Sequence, residues 1–173
     1  NSAADQAGVD IMRWLYLRTN PEHNVNFGYD VLEELRRMFL IKLWNVYSFF
    51  VTYANLYSFN PNSAKEFNPT HSIDKWILSR MIGNIKNLTK DVENYEAHKA
   101  MGHVEILITD LSNWYVRRIR NRVSKNEDKV DRDEALQTLW LVLTTYSKVL
   151  APFMPFIAED LYQKVKGPDA CIS

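Results

Sequence analysis

The chain has 173 residues, 21 basic and 21 acidic side chains and one cysteine. A length of this order fits one domain with at most the remnant of a second, and the charge balance excludes a globally basic nucleic-acid or membrane-surface binder, so any anion site has to come from local clustering. The single Cys171 excludes an internal disulfide and a cysteine-based zinc site, which fits a reducing compartment.

The opening stretch, NSAADQAGVD, has no basic run followed by an apolar run, so no signal peptide is expected. Residues 8–18, GVDIMRWLYLR, carry Ile11, Trp14 and Leu15 at helical spacing and predict a short helix. Pro21, Asn24, Asn26 and Gly28 then break both periods; the alternation of Val25 and Phe27 allows a brief strand inside this loop. Asp30, with Glu33 three residues on, reads as a capping box that opens the next helix.

That helix contains the most aromatic stretch of the chain, MFLIKLWNVYSFFVTYANLYSF over 38–59. One stripe runs Leu35, Phe39, Leu43, Val46, Phe50, Tyr53, Tyr57, and Ile41, Trp44, Phe49 and Leu56 lie off it. A helix apolar nearly all round is enclosed by other helices or by lipid. Lys42, Asn45, Ser48, Thr52 and Asn55 inside the run oppose the membrane alternative, and a buried central helix is expected, with Trp44 packed in the core. Pro61 and Pro69 place a loop after it.

Ser72 or Asp74 is the expected cap of a helix over KWILSRMIGNIKNLTKDVENY, where Gly83 suggests a close helix crossing. After a hinge near 95–99, a third long helix is predicted from about Ala97 to Arg122, and a fourth from about Arg132 to Leu150. APFMPF interrupts it, and Pro155 starts a last helix over Phe156 to Val165. The expected fold is all-α, an antiparallel helix bundle.

Nucleotide-binding loops, the HExxH and GxSxG motifs and paired metal ligands are missing from the sequence. His98 and His103, five apart, do not share a helix face and read as solvated or singly bonded side chains. The one local signal is SNWYVRRIRNRVSK over 112–125, with five basic residues and no acid. Arginines at a helix end suit the macrodipole and can pair with Asp128, Asp131 or Glu134; they can equally face an anionic partner. The stripe Val104, Leu107 or Ile108, Leu111, Tyr115 continues at helical spacing into Arg118 and Arg122, so the helix is expected to project beyond the bundle there. Trp114 lies at the edge of the same arc, and arginine beside an aromatic ring is chemistry suited to RNA phosphates and unstacked bases.

GVDIMRWLYL, LWNVYSFFVTYAN, DKWILSRM, DLSNWYVRRIRNR and LAPFMPFIAEDLYQKV resemble, in that order, the motifs of the class I aminoacyl-tRNA synthetases from the end of the catalytic domain through the anticodon-binding helical bundle. VYSFFVTYAN is most similar to the isoleucyl branch among the isoleucyl, leucyl, valyl and methionyl enzymes. The resemblance implies a piece of a larger cytoplasmic, monomeric ligase. Residues 1–30 would join the catalytic domain, 31–167 form the anticodon-binding bundle and 168–173 a tail. It also implies tRNA, through its anticodon stem-loop, and the catalytic domain of the same chain as partners, with Trp114, Arg117, Arg118, Arg120 and Arg122 as the tRNA-binding residues. Isoleucine charging with ATP and Mg, and the editing of mischarged valine, would belong to other parts of such a parent, since the HIGH and KMSKS signatures do not occur here; no catalytic residue and no cofactor are expected within the chain. Where the family runs RRSRRRFW, this chain has RRIRNRVSK. A helical protein-interaction module, its arginines meeting an acidic partner, is the reading from a different class.

Overall fold

In the computed structural model, residues 8–61, 67–125 and 128–166 are described. The expected tail over 168–173, with Cys171, lies outside them. The elements are α1 (Val9–Arg18), α2 (Tyr29–Leu35), a π-helical turn (Arg36–Ile41), α3 (Lys42–Leu56), α4 (Ser72–Glu93), α5 (Ala97–Thr109), a second π-helical turn (Asp110–Tyr115), α6 (Val116–Ser124), α7 (Lys129–Leu150) and α8 (Pro155–Lys166). No strand occurs among the described residues, and residues 24–28, Val25 and Phe27 included, are irregular. The fold is the expected all-α bundle.

Right-handed helical backbone at Leu35, Arg36, Ile41 and Lys42 makes α2, the first π turn and α3 one continuous rod. The same holds at Thr109, Asp110, Tyr115 and Val116, which join α5, the second π turn and α6. These rods pack with α7 around one core. Trp14 meets Phe39 edge-on at 3.7 Å between ring centroids. The buried Tyr146 hydroxyl donates to the Val104 carbonyl at 3.0 Å, which fixes α7 against α5. Side α4 lies along α5, and α8 lies along α7.

The starts of α2 and α4 are secured by other means than those expected, while α8 starts at Pro155 as expected. Gly28, without a side-chain cap, precedes α2, and Asp30 is already inside the helix. The His71 ring nitrogen accepts from the Ile73 N–H at the start of α4, while Ser72 is the first helical residue and Asp74 is fully buried. Glu134 reaches over from α7 to accept from the backbone N–H groups of Thr70 and His71, both at 2.8 Å, and from the Thr70 hydroxyl at 2.7 Å. Its carboxyl is held below the usual glutamate range; burial pushes it up, but these hydrogen bonds outweigh that. Asp10 of α1 likewise accepts from the Ile157 N–H, 2.7 Å away in the first turn of α8. A Cβ on Gly83 would meet nothing within 4 Å, so no close crossing explains that glycine.

The central rod is not enclosed all round. Trp44 is 58% exposed and packs on Tyr47 and under the Lys164 ammonium instead of in the core. With Leu40, Ile41, Phe156 and Ile157 it lines an open apolar groove of about 500 Å³ between α3 and α8. Among the described residues no helix is long and apolar enough to cross a membrane.

Candidate nucleic-acid interface

The second π turn determines which side chains of α6 face outward. A π turn closes i→i+5 rather than i→i+4, so it takes up an extra residue and shifts the phase of everything after it. The buried line therefore advances by four at each step, through Leu111, Tyr115, Ile119 and Val123, with Val116 beside it. It does not pass through Arg118. The helix stays packed on the bundle to its last turn, and the projection expected from the sequence does not occur.

Trp114, Arg117, Arg118 and Arg120 are brought together on the outer surface, where with Ser112 and Asn113 they line an open concavity. Trp114 is 51% exposed, and the Arg118 guanidinium lies 5.4 Å from its ring centroid, one helical turn on. Arg117 and Arg120 are exposed as well, and none of the three arginines forms an ion pair among the described residues. Arg120 reaches across to α3, where its guanidinium sits 5.8 Å from the Phe49 ring.

Arg122 does not share this surface. Its Nη1 and Nη2 donate to the two oxygens of Asp74 at 3.1 and 3.0 Å, and its Nε donates to Asp131 at 2.8 Å. Nη2 also reaches the Asp131 carbonyl at 3.2 Å. The Tyr115 hydroxyl donates to the same Asp74 at 2.7 Å. Burial alone would lower the Arg122 pKa; the hydrogen bonds to Asp74 and Asp131 reverse this and raise it above the ordinary arginine value. Burial, reinforced by the Asp74 charge, pushes Tyr115 well above the usual tyrosine range. A guanidinium with these bonds filled has little left to offer an RNA phosphate; of the two roles expected for Arg122, the geometry shows the ion pair. Asp131 is one of its expected partners. Asp128 caps α7 through the Val130 N–H at 2.9 Å, and Glu134 serves the start of α4.

Two residues of this region escape a reading by composition alone. Asp74 could have been recognised, because it stands with Ile77, Met81 and Asn84 at helical spacing on the buried stripe of α4. A carboxylate on such a stripe needs a buried cation. Phe49 carries no comparable signal, since its position next to Arg120 depends on how α3 and α6 cross. His103 donates one bond from Nε2 to the Asp91 carboxylate at 3.0 Å, in keeping with a singly bonded histidine. No three His, Cys, Asp or Glu side chains converge to hold a metal ion among the described residues.

Residues 74–173 match the family model described as the anticodon-binding domain of tRNA ligase. Isoleucine–tRNA ligase of Dehalococcoides mccartyi is 42% identical over 162 residues, covering 93% of this chain and 16% of the relative. The enzymes of Clostridium novyi and Thermus thermophilus are 45% and 40% identical, each over 91% of this chain and 15% of their own length. The chain thus spans about one sixth of the length of the curated relatives it matches. Among solved structures, the apo form of Mycobacterium tuberculosis methionyl-tRNA synthetase superposes with a TM-score of 0.71 at 18% identity, over 92% of this chain and 33% of that one, which shows the shared fold. With its bundle architecture and the family match over most of its length, the chain belongs to the anticodon-binding domain family of tRNA ligases.

Proposed function

We propose that this chain is the part of an isoleucine–tRNA ligase that docks the anticodon stem-loop of tRNA. The observation that carries the reading is the outward cluster of Trp114, Arg117, Arg118 and Arg120, in which three cations have no carboxylate partner among the described residues. Unpaired arginines beside an exposed indole suit a polyanion with unstacked bases. Isoleucine activation with ATP and Mg, and the editing of valine, belong in this reading to other domains of a monomeric parent protein. The bundle supplies tRNA docking, and the catalytic domain of the same polypeptide is its covalent neighbour.

The test uses the full-length protein carrying this chain. Replacing Arg117, Arg118 and Arg120 together by Ala is expected to weaken binding of an isoleucine tRNA transcript and to lower the salt slope by about 0.7–0.9 for each phosphate no longer neutralised. Isoleucine-dependent ATP–pyrophosphate exchange, which needs no tRNA, stays at the wild-type rate. Unchanged tRNA affinity across the salt series would overturn the assignment.

A further inference from the structure

Arg120 leads from the arginine cluster onto a row of aromatic rings along α3. Phe49, Tyr53 and Tyr57 follow one another at i, i+4 and i+8, with centroids 4.9 and 6.3 Å apart, and the second pair lies nearly parallel at 15°. The Arg120 guanidinium stands at the Phe49 end, and that of Arg132, from α7, covers Tyr57 at 3.8 Å. All three rings are half-buried: they rest on the core and keep part of their surface accessible. Neither tyrosine hydroxyl hydrogen-bonds another described residue, although each carries a donor and acceptor.

Neighbouring rings at i and i+4 support a helix by a few tenths of a kcal/mol, and apolar side chains such as Leu do so as well. That contribution does not account for free hydroxyls on a half-exposed face, or for a cation at each end. We infer that Phe49 and Tyr53, in a row closed by the Arg132-covered Tyr57, form a stacking platform for single-stranded loop nucleotides, continuous with the arginine cluster. The inference rests on the proposed tRNA-docking function and extends it to a second element. The platform has a direction. The Arg120 end adjoins Arg117 and Arg118, whereas Arg132 at the other end lies 3.6 Å from the Asp133 carboxylate. The phosphate backbone is therefore held at the Arg120 end, and bases stack over Phe49 and Tyr53, the row being closed at Tyr57 by the Arg132 guanidinium that covers it. Stacking of this kind tolerates any base, because every base has a π face.

The experiment again uses the full-length protein, with two probes: the anticodon stem-loop of an isoleucine tRNA, and the same stem as a blunt duplex without its loop. Tyr53→Leu is expected to weaken stem-loop binding about tenfold, the size of one base–aromatic stack. Its salt slope and its affinity for the duplex stay at wild-type values, and Tyr53→Phe, which keeps the ring, retains most of the affinity. Phe49→Leu behaves like Tyr53→Leu. A stem-loop carrying a fluorescent purine analogue in the loop reports on the wild-type protein directly: its emission is quenched on binding if the base stacks on these rings. Wild-type stem-loop affinity in Tyr53→Leu, or no quenching at any loop position, overturns the platform. If the wild-type protein binds the stem-loop, the arginine variant loses it and Tyr53→Leu does not, only the platform fails. If the wild-type protein does not bind the stem-loop at all, the docking function fails with it.

Discussion

Arg122 and Asp74, 48 positions apart in sequence, form a two-bond ion pair in which the carboxylate is fully buried and the guanidinium side chain is 12% exposed. This pair joins the last helical turn before the arginine-rich segment ends to the start of α4. Asp131 and Tyr115 complete it. Because each charge is desolvated, the pair contributes less to stability intact than its loss would cost.

Arg122→Ala is therefore expected to destabilise the fold by about 3–5 kcal/mol, by stranding the buried Asp74 carboxylate. Asp74→Asn has a milder effect, since Asp131 still pairs with Arg122 and the amide still accepts from Tyr115. Denaturant unfolding of both variants checks the order. A double replacement, Asp74→Leu with Arg122→Met, restores much of the loss, as apolar substitutes of a buried pair often do. If Arg122→Ala kept wild-type stability and instead weakened tRNA binding, Arg122 would belong with the outward arginines after all.

The helical pattern is legible in the sequence because its signals are local. The stripe Leu35, Phe39, Leu43, Val46, Phe50 is buried as its spacing predicts, and Pro152 and Pro155 separate α7 from α8. The two π turns are not legible. Their residues, RRMFLI and DLSNWY, are ordinary helix residues, and nothing in composition distinguishes an i→i+5 turn from an i→i+4 turn. Without the second of them, regular spacing puts Arg118 on the buried line, whereas it faces outward. Trp44 is misplaced for another reason: a continuous apolar run shows that a helix has partners available, but not which of its faces this domain covers.

Glu134 supplies a pH test. Its carboxyl titrates below the ordinary value of 4.5 in the folded state, through the His71 and Thr70 N–H groups and the Thr70 hydroxyl, which together outweigh burial. A depressed carboxylate pKa contributes stability that is present above the unfolded-state value and is lost as pH falls through the folded-state value. Glu134→Gln is thus expected to lower Tm at neutral pH, with the difference from wild type shrinking below about pH 4.5. Melting curves across an acid series check it; a constant difference at every pH would mean that the Glu134 charge plays no part in securing α4.

Trp44 and Trp14 make a contrasting pair. Trp14 is 1% exposed and donates its indole N–H to Glu105 at 3.1 Å, whereas Trp44 is 58% exposed. Trp14→Ala is expected to cost about 3–5 kcal/mol, as for other fully buried aromatics. Trp44→Ser in the same 173-residue chain is expected to stay within about 1 kcal/mol of wild type, because it vacates a groove wall and leaves no cavity in the core. Thermal unfolding of the two variants side by side decides this.

The second π turn can be tested by removing the residue it accommodates. Six residues in a π turn cover about the same rotation as five in an α-helix, so deleting Asn113 closes Asp110–Tyr115 into ordinary α-helix and leaves the phase of α6 against α5 unchanged. Val116, Ile119 and Val123 stay in the core, Arg122 stays on Asp74, and the deletion is expected to keep cooperative unfolding. Inserting one alanine between Arg117 and Arg118, in regular helix beyond the turn, instead rotates the rest of α6 by about 100°. Ile119 and Val123 then leave the core, each with about 1.5–3 kcal/mol of burial at stake. Arg122 swings away from Asp74 in the same movement, and a buried carboxylate is left without its cation. The insertion is expected to abolish cooperative unfolding. Circular dichroism melts of the two variants compare a residue that the turn absorbs with one that it does not. An Asn113 deletion that melts as poorly as the insertion would show that the turn does not set the phase of α6. The outward position of Arg117, Arg118 and Arg120, on which the docking surface depends, would then not be explained by the turn.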